Sequence, residues 1–124
     1  MVFFLQTVGA ATIIALLIYA ARVLDKKWRL RYPEEKPFAW GYFQALFFFP
    51  AGLLWFLMPF IHDPGSWQLW LMVVLHGVVG SYAGYALIKE KKKWAWVFVV
   101  IAQMNFVTLL IDIHYGGNRW KEFR

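Results

Sequence analysis

Charged side chains divide the chain into four uncharged stretches, residues 2–21, 37–61, 64–88 and 94–111. Each is close to the ~20 residues that an α-helix, rising ~1.5 Å per residue, needs to cross a ~30 Å hydrocarbon core. Apolar residues run continuously in them, as in Phe47-Phe48-Phe49 and Val97-Phe98-Val99-Val100-Ile101. A transmembrane β-barrel would instead alternate polar and apolar positions in ~10-residue strands. Backbone N–H and C=O groups in lipid must be satisfied inside their own segment, which a helix does. The pattern predicts an all-α membrane protein, a four-transmembrane-helix bundle with short connections and one polytopic domain over 1–124. The spans are expected at about 2–22, 38–60, 67–88 and 94–114. Residues 22–31 contain no Gly or Pro, and Pro33 then biases Tyr32 away from the helical region. The first helix is therefore expected to extend ~15 Å into the cytoplasm. Gly116-Gly117-Asn118 stops the last one.

Positive charge orients this bundle. Arg22, Lys26, Lys27, Arg29, Arg31 and Lys36 follow the first span, and Lys89, Lys91, Lys92 and Lys93 follow the third. Residues 1–5 and the connection at His62-Asp63 hold neither Lys nor Arg. The positive-inside rule then puts both basic connections in the cytoplasm and both termini outside, in a membrane read as a bacterial inner membrane. Arg119, Lys121 and Arg124 of the tail fall on the side that should be poor in them. Aromatic belts match the same edges, with Trp28, Tyr32, Trp40, Trp94 and Trp96 inside and Phe60, Trp67, Trp70, Tyr115 and Trp120 outside.

Composition agrees with this reading. The chain is 61% hydrophobic and 16% charged, with a mean hydropathy of +0.51. A soluble domain has about 45–50% and about 25% respectively, and a body this small could not hide the excess. The absence of cysteine excludes disulfide scaffolds, Cys-ligated zinc and iron–sulfur clusters. The net charge of +6 arises from clusters that abut the spans, so it reads as topology and contact with anionic lipid, not with nucleic acid.

Candidate chemistry lies among the few polar residues inside the stretches. Counting inward by helical rise puts His76, Asn105 and Thr108 near mid-depth with Thr12, a candidate cofactor or ligand layer. The first reading of these residues is nevertheless structural, hydrogen bonds that hold helix register at about 0.6 kcal/mol each, ahead of a ligand site. A bis-histidine haem needs a second His at the depth of His76, whereas His62 and His114 lie about two turns nearer the outer surface. Haem or quinone is accordingly expected only together with a partner chain, and bound lipid on its own. His62, Asp63, Asp112 and His114 converge on the outer surface as a candidate metal cluster of imidazole and carboxylate. In the third span Gly77/Ser81 and Gly80/Gly84 form small-xxx-small pairs for close helix packing, with Gly41/Ala45 and Ala11/Ala15 as complementary faces.

Four spans in so short a chain resemble the small multidrug transporters, a family that depends on a Glu in its first membrane helix. The first span here has no acidic residue, so that function is not carried over. Residues 85–117, with the basic run 89–93 before Trp94 and Gln103 fourteen positions ahead of Gly117, resemble the last two helices of the emopamil-binding (EXPERA) family. The acidic residues which that family uses in its cavity have no counterpart in the third span, so isomerase chemistry is not carried over either. No constellation names a reaction. The expectation is a non-catalytic accessory subunit of a larger membrane complex, of respiratory, photosynthetic or oxygenase type, with other membrane subunits as partners. The alternative is a small ligand-binding or transport protein with a polar cavity around His76, Asn105 and Asp112.

Overall fold

The computed structural model describes residues 1–103 and 105–124. Three of its helices are long and apolar enough to cross a membrane, namely α1 (Val2–Arg31), α2 (Ala39–Ile61) and α3 (Trp67–Glu90). A shorter apolar helix, α4 (Lys93–Ala102), follows, and then α5 (Phe106–Gly117). The described residues contain no strand. The chain packs as two compact units, Met1–Phe43 and Gln44–Arg124.

In the first unit, α1 continues unbroken through the basic segment to Arg31, and Tyr32 leaves helical geometry just before Pro33. The connection after it is tied back by carboxylates. Asp25, nearly fully buried, accepts the backbone N–H of Phe38 at 2.9 Å through Oδ1 and Arg29 Nε at 3.1 Å through Oδ2. Trp28 Nε1 donates to Glu35 Oε1 at 3.1 Å, and the Trp28 ring lies 4.8 Å from that of Tyr32. Asp25 thus joins α1 to the residue that starts α2. Replacing Asp25 with Ala should destabilise the protein by about 2 kcal/mol, because a charge-assisted bond to backbone is lost and a buried N–H is orphaned. Asp25→Asn should recover about half of that. Denaturant titration in detergent measures both, and an Asp25→Ala variant as stable as the parent would refute the clamp.

In the second unit, α2 changes pitch. Its α-helical opening ends at Leu46, because Pro50 has no N–H to continue the ladder. A 3-10 segment covers Ala51–Leu57 and a last α-turn Met58–Ile61. Facing it, α3 widens to a π-helix over Val73–Gly80 before closing as an α-helix from Ser81. A 3-10 helix rises ~2.0 Å per residue, more than an α-helix, so depth along these two helices does not follow a uniform count. They approach at glycines. A Cβ on Gly84 would lie 2.7 Å from the Ala45 carbonyl oxygen and 2.8 Å from the Phe49 nitrogen. One on Gly52 would lie 3.0 Å from both the His76 carbonyl oxygen and Ser81 Oγ. Gly84 on α3 and Gly52 on α2 therefore lie where the two helices approach each other.

The fourth uncharged stretch holds two helices where one was expected, α4 ending at Ala102 and α5 beginning at Phe106, and Met104 between them lies outside the described residues. Asn105 starts α5 as its N-cap, its Oδ1 accepting the Thr108 N–H at 3.1 Å. That bond satisfies a helix-end donor which would otherwise be orphaned, and so stabilises a helix start in mid-stretch. The two helices run antiparallel. Trp96 near the start of α4 meets Tyr115 near the end of α5, with ring centroids 6.1 Å apart, and Gly116 makes room for the Trp96 indole. Beyond α5 the chain closes on the entry of α4, where the Arg124 N–H donates to the Lys91 carbonyl at 2.9 Å and the Lys93 N–H to the Arg124 carbonyl at 3.3 Å. The tail and the third basic connection consequently share one end of the unit, whereas the sequence reading put them at opposite ends. Tyr115 and Trp120 likewise lie with Trp96 and Phe123 rather than in a separate belt.

Candidate functional site

Buried polar groups of the second unit gather in three places. The first is a chain of side chains around Asp112, which is 0% exposed. Gln44 Nε2 donates to Asp112 Oδ1 at 3.0 Å, and Gln103 Nε2 donates to Gln44 Oε1. One amide, donating at one end and accepting at the other, thereby joins α2 to the end of α4 and the middle of α5. Asp112 arrives there because α5 folds back along α4. Hydrogen bonds to a buried carboxylate contribute about 1.5–3 kcal/mol, more than those between neutral groups. The arrangement fixes the hairpin on α2 and can hold a charge or a proton on Asp112.

The second place surrounds His76 in the π-helical part of α3. Its ring stacks on Phe48 at 6.2 Å and lies 5.4 Å from Trp55. Among the described residues neither His76 Nδ1 nor Ser81 Oγ has a hydrogen-bond partner, and both atoms are buried. π-helical turns free backbone groups and recur at functional positions. Gly52 lies close to Ser81 Oγ and to the His76 carbonyl oxygen.

The third place is the closure of the tail. Lys91 ends α3 in the left-handed conformation, φ 55°, a backbone strained for a residue with a side chain. Its side chain is fully buried, with Nζ 3.7 Å from Glu122 Oε2 and 5.9 Å from the centre of the Phe123 ring. The ion pair and the ring offset the cost of taking an ammonium out of water. Glu122 and Phe123 were not singled out in the sequence, and the only signal was a basic tail that fitted the topology badly.

The expected layer of His76, Asn105 and Thr108 is not assembled. Asn105 and Thr108 bond to each other as the cap of α5, Asn105 is exposed, and Thr12 Oγ1 donates to the Val8 carbonyl of its own helix at 2.8 Å. The expected metal cluster does not form either, since among the described residues no three His, Cys, Asp or Glu come together to hold an ion. Asp112 is turned inward to Gln44, exposed His114 pairs with Asn118 across 3.3 Å, and Asp63 accepts the Gly65 N–H in the turn after His62. The residues read as a packing stripe have aromatic and small neighbours. Gly77, Gly80, Ser81 and Gly84 are buried, with Phe56 and Trp55 beside Gly77, Phe48 beside Gly80, and Ala45 and Phe49 beside Gly84. No family model matches the chain, and no curated protein or solved structure matches it.

Proposed function

We propose that this protein is a non-catalytic accessory subunit of a larger membrane complex, attached through α1. The observation that carries the reading is that none of the apolar window of α1 is buried, against 28% for α2 and 39% for α3. Ala11 and Ala15 are exposed one turn apart on it, a small-residue stripe of the kind by which helices associate in lipid. Thr7 and Thr12 donate to carbonyls of their own helix, so neither hydroxyl needs water. The alternative, a ligand or transport protein, needs His76, Asn105 and Asp112 around one cavity, and two of the three are engaged elsewhere. In the arrangement we propose, α1, α2 and α3 cross the membrane while α4 and α5 enter and leave it on the cytoplasmic side, with the N-terminus outside and the C-terminus inside. All 13 Lys and Arg residues then face the cytoplasm, which removes the conflict the basic tail poses for four crossings.

Affinity copurification in mild detergent tests the attachment. The parent should carry a stoichiometric membrane partner, and an Ala11→Leu/Ala15→Leu variant should lose it while remaining folded. A parent that purifies alone, or a variant that keeps the partner, would overturn the proposal. Sidedness is tested separately. A cysteine at Asn118 should be shielded from an impermeant thiol reagent in intact cells, as should one at Lys92, while one at Pro64 should react. Labelling at Asn118 with protection at Lys92 would restore the four-crossing arrangement.

A further inference from the structure

The hairpin of α4 and α5 leaves a groove of about 330 Å³ on its surface, lined by Trp96, Val100, Ile101, Leu109, Ile113 and Trp120 among others. Its walls are almost wholly apolar. Ten residues of α4 span ~15 Å, half of the ~30 Å hydrocarbon core and therefore the depth of one leaflet. At the end where the chain enters and leaves, Lys93 Nζ sits 5.3 Å from the centre of the Trp120 ring that borders the groove, and Lys121 is the next residue along. The neighbouring cations are engaged, Lys91 with Glu122 and Lys92 with Glu90 at 3.0 Å. Lys93 and Lys121 are exposed and make no ion pair among the described residues.

We infer that this groove is a binding site for one anionic phospholipid of the cytoplasmic leaflet, an acyl chain lying between α4 and α5 and the phosphate between Lys93 and Lys121. The charge identifies the occupant. A neutral helix of a partner would match the apolar walls but leave the Lys93 ammonium, and Lys121 next to Trp120 in the chain, without counter-charge, whereas an anionic lipid satisfies both parts. Trp120 completes the fit, since an indole prefers headgroup depth and its face attracts the Lys93 ammonium. Gly117 also lines the groove, and a Cβ there would meet nothing within 4 Å. Its missing side chain keeps the groove open without being required by packing.

Native mass spectrometry of the full-length protein, released from detergent containing either phosphatidylglycerol or phosphatidylcholine, tests the site. The parent should retain one phosphatidylglycerol, in preference to phosphatidylcholine by about tenfold, in line with the attraction of basic residues to anionic headgroups. Lys93→Gln/Lys121→Gln should abolish the preference, and Gly117→Leu should abolish retention of either lipid, both at unchanged melting temperature. Equal retention of the two lipids by the parent would overturn the inference. So would an unchanged preference in the double variant, retention by a folded Gly117→Leu protein, or a lipid-free dimer, which would give the groove to a second copy of the chain.

Discussion

Gly84→Leu is expected to unfold the second unit, and even Gly84→Ala should cost several kcal/mol. The Cβ would fall 2.7–2.9 Å from the Ala45 carbonyl oxygen, the Phe49 nitrogen and Phe49 Cβ, two of which are backbone atoms that cannot rotate away. Overpacking a tight interior costs typically ~1–3 kcal/mol, and more where neither side can yield. Gly77 is the control on the same helix. A Cβ there would meet only the Phe56 and Trp55 side chains at 3.4–3.5 Å, ordinary contact, so Gly77→Ala should be neutral or gain up to about 1 kcal/mol from helix propensity. Gly80 is intermediate, with Phe48 Cδ1 at 3.1 Å. Melting temperatures of the alanine variants should therefore rank Gly77 above Gly80 above Gly84. Equal tolerance at Gly77 and Gly84 would mean that α2 and α3 do not cross at Gly84.

Replacing Asp112 with Leu should cost about 2–3 kcal/mol, because Gln44 Nε2 would stay buried without this acceptor. Asp112→Asn keeps an acceptor oxygen and should cost about 1 kcal/mol. The informative variant is Gln44→Leu/Asp112→Leu. Removing both partners for apolar groups of similar size removes the orphaned amide as well, so the double change should be less harmful than the sum of the two single ones, with a coupling of at least about 1 kcal/mol. Additive effects would mean that the two side chains act independently. A double variant that is stable but has lost its partner in copurification would assign the pair a role beyond holding the hairpin.

The apolar helices were legible because length and absence of charge are sufficient to specify them. α1 was legible even at its end, where Pro33 dictates the departure of Tyr32 from the helix. The break of the fourth stretch was not, because charges alone marked its limits while Gln103 and Asn105 are polar and neutral. Its local signal was present, in Asn105 as an N-cap ahead of an apolar run. The layer at His76 does not assemble because Asn105 and Thr108 are engaged as the cap of α5, and counting depth at ~1.5 Å per residue assumes α-helix where α3 is π-helical around His76. Asp112 shows what no local pattern contains. Its nearest residues in sequence suggested a surface ligand set with His114, whereas its partner Gln44 is 68 positions away.

The hairpin also bears on how the chain enters its membrane during synthesis. In the proposed arrangement the helix pair re-emerges where it entered, so Arg119, Lys121 and Arg124 need not enter the hydrocarbon core, where a basic residue at the centre of a helix costs ~2.5–3.5 kcal/mol. The connection around His62 and Asp63 is, in that arrangement, a short piece to export. Residues 91–124 can then be seated after α1, α2 and α3 are in place, as a plug added from the ribosome side and held by the bond of Arg124 to Lys91.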